Sequence, residues 1–250
     1  MSGTALQTPL LALGDSYSCG EGVGTRVHPA HTWVGVLGHA LGAGTEVLAR
    51  PGARIGHVRR DQVPLAVARH PQLVTLLAGL NDVCRTGWSD EAVTADLLAS
   101  VESLREAGAV VVLGRLHDAA LLLPLPRRLR AESDRRIAVV NAAVDAARAP
   151  GVVIVDLASV PELRSRDGWA VDRVHPGVAG HRGIAEAAAA ALATIGIDAV
   201  TPRGTPWFAP PTGRLAELLW LSRHGAPYLL RNAVKSGAFR ETPTTASRST

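Results

Sequence analysis

Five short apolar runs bounded by turn residues punctuate this chain, at residues 9–13, 46–49, 73–78, 109–113 and 152–155. Their apolarity is largely continuous rather than alternating, as expected of strands covered on both faces. Between them lie stretches with helical spacing, about 32–41, 55–68, 90–107 and 127–147, and a last one over about 178–195 whose centre is alanine-rich. Regular alternation of strand and helix predicts a five-stranded parallel sheet with helices on both faces, joined by right-handed crossovers.

In such sheets ligands sit beyond the carboxyl ends of the strands. The first run ends in Leu13-Gly14-Asp15-Ser16 and the third in Ala78-Gly79-Leu80-Asn81-Asp82, so two polar clusters fall at that edge. A chain of 250 residues can bury one sizeable core, and with aromatics at 4% that core must be aliphatic. The domain is expected over residues 1–200. Residues 201–213 hold four prolines and read as a connector, 214–240 as an amphipathic, basic helical extension, and 241–250 as a disordered tail. The extension mixes Leu218, Leu219, Trp220 and Leu221 with Arg223 and Arg231, which suits peripheral contact with an anionic membrane and, better, docking on its own domain or a second subunit.

The net charge of +4 comes almost wholly from arginine, since Lys235 is the one lysine. The arginines are dispersed and no aromatic residues alternate with them, which excludes a nucleic-acid surface as the leading reading. Cys19 and Cys84 lie three residues beyond Ser16 and Asn81, and the expectation is two buried free thiols. Residues 1–8 lack a basic start with a long apolar run, and no apolar stretch reaches the roughly 20 residues that cross a bilayer, so a cytoplasmic protein is expected. The Gly20-x-Gly22-x-Gly24 segment lacks the third glycine of a dinucleotide fingerprint, and no phosphate-loop or His-Glu-x-x-His run exists. No metal or cofactor is expected.

A serine hydroxyl is a poor nucleophile at neutral pH and needs a histidine base whose tautomer a third group fixes. Ser16 follows a buried strand and precedes a glycine-rich segment that lets the chain turn tightly. His175 stands before Pro176, which biases it to an extended loop conformation, and Asp172 is close enough in sequence to hold its Nδ1. Acyl transfer also needs donors for the oxyanion: the Asn81 amide, the Gly52 N–H and the Ser16 N–H are the candidates.

Taken together, Gly14-Asp15-Ser16, an isolated Gly52, Gly79-x-Asn81-Asp82 and Asp172-x-x-His175 stand in the order of the four SGNH (GDSL-type) hydrolase blocks. Over about residues 9–195 the chain resembles that family. The resemblance implies a flavodoxin-like three-layer α/β/α sandwich and esterase or lipase-like chemistry without a metal. It makes Ser16 nucleophile and oxyanion donor, Gly52 and Asn81 the other donors, His175 the base and Asp172 its partner, with Asp15 and Asp82 structural. Tyr17 replaces the usual leucine, and Tyr17 and Glu21 are candidate substrate contacts. The expected substrate is a small-molecule ester; an acyltransferase or a non-catalytic acyl-binding module on the same fold are the alternatives. The apolar-then-basic stretch 121–130 is the suspected specificity loop. Neither the acyl group nor the oligomeric state can be read from the residues.

Overall fold

The computed structural model describes residues 6–21, 26–118, 127–199, 214–220 and 222–223. The first half of the chain forms β1 (Leu10–Gly14), α1 (Ser16–Cys19), α2 (Trp33–Ala40), β2 (Thr45–Val47), α3 (Ile55–His57), α4 (Val63–Val67), β3 (Leu73–Leu77) and α5 (Leu80–Val83). It continues with α6 (Asp90–Glu106), β4 (Val110–Arg115), α7 (Arg127–Ala146), β5 (Val152–Asp156), α8 (Val178–Ala193) and α9 (Arg214–Trp220). All five strands are parallel, in the order β2-β1-β3-β4-β5.

The sheet grows first from β1 towards β2 and then in the opposite direction through β3, β4 and β5. Because each crossover is right-handed, this reversal sends α2 to one face and the helices of the later crossovers to the other. The packing follows: α2 lies against α8, while α6 packs on α3, α4 and α7. Both faces of the sheet are thereby covered, and β1 and β3 at its centre are buried at every position. The core is aliphatic, and its aromatic members among the described residues are Tyr17, Trp33 and Trp169. Capping agrees with the expected helix starts: Thr32 Oγ1 accepts from Gly35 N at 3.1 Å, and Ser89 Oγ from Ala92 N at 3.2 Å.

Local departures from the expected elements have physical causes. The edge strand β2 ends at Val47 because the N–H groups of Leu48 and Ala49 both turn onto Ala12 O, at 2.8 and 2.9 Å. The single helix expected over residues 55–68 is instead α3, a π-helical turn at Val58–Gln62, and α4. Pro64 has no N–H to donate and its ring crowds the turn before it, so the helix widens there and Val63 N reaches back five residues to Val58 O. The widened turn aims Gln62 inward. Its buried carboxamide takes the Gly14 N–H at 2.8 Å and donates to Gly14 O at 2.9 Å, which holds the last residue of β1.

Cys84 is exposed, against the expectation of a buried thiol, because α5 ends there and the chain turns outward; Cys19 is half-buried and both thiols are free. The connector at 201–213 and the tail at 241–250 lie outside the described residues, as do positions 22–25 of the glycine-rich segment. Of the suspected loop 121–130, residues 121–126 are outside them too, and the rest opens α7. The extension begins as α9, where Leu215, Leu218 and Leu219 are exposed. Among the described residues no helix is long and apolar enough to cross a membrane.

His181, in the first turn of α8, is wholly buried and its Nδ1 accepts from Trp33 N at 3.2 Å, tying α8 to α2. Burial, with the nearby His175 charge, pushes its pKa down to about 3. The unfolded chain binds a proton near pH 6.5 that the folded chain refuses, so stability is lost as pH falls through that window. His181→Gln keeps an acceptor but cannot titrate. Between pH 7 and pH 4 the wild type should lose on the order of 3 kcal/mol more than this variant, measured by urea unfolding at each pH.

Candidate active site

Gly14 sets the position of Ser16. Its φ is +127°, and a Cβ built there would lie 1.9 Å from Leu77 O, so only glycine lets the ends of β1 and β3 approach this closely. Asp15 N then donates to Leu77 O at 3.2 Å, and Asp15 caps α1 with its side chain. Ser16 is therefore the first residue of a one-turn helix beyond the carboxyl end of β1, between β2 and β3, where the strand order reverses. Asn81 follows β3 at the same edge.

His175 arrives on the loop between β5 and α8. Paired backbone at Trp169 and Pro176, and a hydrogen bond of 2.8 Å from Ala170 N to His175 O, close this loop into a hairpin. Its turn passes through Arg173, whose φ of +57° lies in the left-handed region. Asp172 organises the inside: Oδ1 accepts from Val174 N and His175 N, each at 3.0 Å, and Oδ2 lies 2.7 Å from His175 Nδ1. Burial pushes the Asp172 carboxyl up, but the His175 hydrogen bond and charge and the two N–H groups outweigh it and hold it below its ordinary value. With Nδ1 so engaged, Nε2 points at Ser16 Oγ, 3.0 Å away. A hydroxyl, an imidazole and a carboxylate are thus joined in series across 159 residues of sequence.

The three expected N–H donors come from Ser16 itself, from Gly52 after β2 and from Asn81 after β3. The backbone N–H groups of Ser16 and Gly52 have no acceptor among the described residues. Gly52 has φ +75° and is kept near β1 by the Arg50 N to Gly14 O bond of 3.2 Å. Asn81 Nδ2 uses one proton on Asp15 Oδ2, at 3.1 Å, which orients the amide and leaves the second proton free. Burial pushes Asp15 up to about 6, against the Tyr17 N–H and Asn81 hydrogen bonds. Its two oxygens accept one bond each, Oδ1 from Tyr17 N and Oδ2 from Asn81. Asp82 Oδ2 accepts from Ile55 N at 3.0 Å and ties α3 to α5.

The two candidate substrate contacts are placed differently. Tyr17 is buried, and its hydroxyl donates to Val174 O at 2.6 Å, the carbonyl next to His175. Glu21 is half-buried and ion-paired with Arg26 at 3.5 Å, near the undescribed residues 22–25. Glu21 N donates to Ser16 O at 3.2 Å, but neither side chain hydrogen-bonds to Ser16. Two residues not singled out from sequence also support the site. Gln62 grips Gly14, as above; its only sequence signal is a polar side chain four residues after Val58, on the apolar stripe. His117 is buried after β4 with Nε2 at 3.2 Å from Tyr17 Oη, and burial pushes its pKa down. Its Nδ1 lies 3.0 Å from Asp118 O, a carbonyl that only accepts, so the neutral ring carries its proton on Nδ1 and presents Nε2 as a second acceptor beside the Tyr17 hydroxyl. Nothing in the spacing of residues 17, 117 and 174 announces these contacts. Among the described residues no three His, Cys, Asp or Glu side chains are grouped to hold a metal ion.

Comparison with known proteins agrees with this fold. The model of the GDSL-like lipase/acylhydrolase family matches residues 12–182. Among solved structures, TesA is 21% identical with a TM-score of 0.60, covering 75% of this chain and 99% of its own. The psychrotrophic esterase EstA from Pseudoalteromonas sp., determined with monoethylphosphonate as inhibitor, is 18% identical with a TM-score of 0.59 over 76% of this chain and 98% of its own. An acetylxylan esterase from Geobacillus stearothermophilus is 22% identical with a TM-score of 0.57 over 76% and 95%. At these identities the likeness establishes the fold. None of the curated proteins matches the sequence.

The Tyr17 hydroxyl makes a stability prediction independent of any activity. Tyr17→Phe leaves the part-buried Val174 O without its donor and should cost about 1 kcal/mol by urea unfolding. A change below about 0.5 kcal/mol, the range of substitutions that break nothing specific, would show that the bond does not hold the loop.

Proposed function

The chain belongs to the GDSL-like lipase/acylhydrolase family, and from that premise we propose that it hydrolyses carboxylic esters through an acyl-enzyme formed on Ser16. The observation that carries this reading is the continuous series of contacts from Ser16 Oγ to His175 Nε2 at 3.0 Å and from His175 Nδ1 to Asp172 Oδ2 at 2.7 Å. In the first half-reaction Ser16 Oγ attacks the ester carbonyl and His175 Nε2 takes its proton. Asp172, held as a carboxylate, stabilises the imidazolium that forms without taking a proton from it. The tetrahedral oxygen faces the Ser16 and Gly52 N–H groups and the free proton of Asn81. His175 then returns its proton to the leaving alcohol, and the acyl group remains on Ser16.

Water completes the cycle. His175 draws its proton as it attacks the acyl-enzyme, the same donors hold the second oxyanion, and the acid leaves as Ser16 regains its hydroxyl. Asp15 acts here as a positioning residue, because it orients the Asn81 amide before charge develops and so lowers reorganisation during reaction. Tyr17 serves the base likewise, by donating to the carbonyl next to His175.

An esterase of the same fold carries a phosphonate inhibitor, and a fluorophosphonate is the matching covalent probe. Intact mass should show one adduct on the wild type and none on Ser16→Ala, with p-nitrophenyl esters turned over only by the former. Folded wild-type protein that neither reacts nor turns over these esters would sink the hydrolase reading. Asn81→Ala should lower kcat by about two to three orders of magnitude, as for loss of an oxyanion donor. A rise in KM alone would make Asn81 a substrate contact instead.

A further inference from the structure

A guanidinium that the proposed mechanism does not use lies at the edge of the oxyanion donors. A Cβ built on Gly52 would come within 3.0 Å of Arg85 Nη2, so the head group of Arg85 rests against that glycine. Arg85 also follows Asn81 by four residues, about one helical turn. The turn is continuous in its hydrogen bonds: Cys84 N donates to Leu80 O at 3.1 Å and Arg85 N to Asp82 O at 3.3 Å. The contact places this positive charge beside Gly52, on a backbone that leaves α5 one turn after Asn81.

The backbone that presents Arg85 is held from two sides. Arg136 Nη1 donates to Val83 O at 3.0 Å and Arg85 O at 2.9 Å, and Arg54 Nη1 donates to Thr86 O at 3.0 Å. The Arg85 side chain itself is exposed and makes no hydrogen bond or ion pair with any described residue. Its carboxylate neighbours are engaged elsewhere: Asp15 accepts from Asn81 and Tyr17 N, and Asp82 accepts from Ile55 N. A guanidinium on a fixed backbone, with no partner among the described residues, offers a planar fork to a carboxylate or phosphate.

We infer that Arg85 is an anion subsite and that the preferred esters carry a carboxylate or phosphate a few bonds from the scissile carbonyl. This rests on the ester-hydrolase reading and adds the substrate class to it.

Two matched pairs of esters test the inference on the full chain. p-Nitrophenyl hemisuccinate against p-nitrophenyl butyrate places the charge on the acyl side; 4-acetoxybenzoate against its methyl ester places it on the alcohol side. In at least one pair the wild type should favour the anionic ester, and Arg85→Gln should lower the anionic-to-neutral ratio of kcat/KM at least tenfold. Arg85→Lys should recover part of that ratio. Wild type without a preference in either pair, or an Arg85→Gln ratio unchanged within twofold, would overturn the subsite. Loss of turnover on all four esters by the wild type would instead refute the hydrolase reading. Calorimetric binding of succinate and of 4-hydroxybenzoate to wild type and Arg85→Gln then decides the subsite without turnover: weaker binding to the variant supports it, and equal or absent binding overturns it.

Discussion

The close approach of Gly14 to Leu77 is the constraint on which the rest of the site depends. A carbonyl oxygen of β3 occupies the space that any side chain at position 14 would need. The two central strands therefore end in contact, and the residues that follow them, Ser16 and Asn81, emerge as neighbours. Gln62 secures the arrangement from behind by pairing both backbone groups of Gly14. The N–H of that residue would otherwise be buried with no partner, a cost of about 1–3 kcal/mol, while its C=O is shared with the Arg50 N–H. A helix distorted by Pro64 is what brings Gln62 to that place, so a local irregularity in one crossover serves the geometry of the strand next to it.

Charge is handled by the same economy of buried partners. Asp172 sits inside its own loop, and the two backbone N–H groups and the imidazole it binds both fold the turn and keep the carboxyl ionised. Asp15 is buried with fewer compensating bonds and is pushed up to about 6, yet its two acceptors align the start of α1 and the Asn81 amide. His181 is the opposite case, an imidazole kept neutral by burial and used as an acceptor between α2 and α8. Each of these groups joins segments distant in sequence, so the polar interior specifies which elements meet while the aliphatic core supplies the burial.

Much of this was legible in the residues. Apolar runs and helical spacing carry the parallel sheet, because strands covered on both faces need no polar alternation. The motif residues were legible as well: Gly14, Asp15 and Ser16 after the first strand, Gly79 and Asn81 after the third, and Asp172 three residues before His175. Chemistry restricts which side chains can serve as nucleophile, base and orienting acid, so type and order already limit the choices. Tyr17 was legible only as a departure from the family pattern. Its inward hydroxyl and its bond to Val174 O belong to the packed interior.

By itself, then, the sequence determined the fold class, the edge of the sheet where polar clusters gather and the identity of the residues at that edge. These follow from local properties: periodicity, turn chemistry and the reactivity of single side chains. The tertiary structure alone decided that Ser16 Oγ and His175 Nε2 stand 3.0 Å apart, that Gln62 and His117 support them, that Cys84 faces solvent and that Arg85 lies against Gly52. These depend on segments brought together by the crossovers and by the reversal of strand order at β1. No local pattern encodes a distance across the sheet, because it arises only when the helices of both faces have packed.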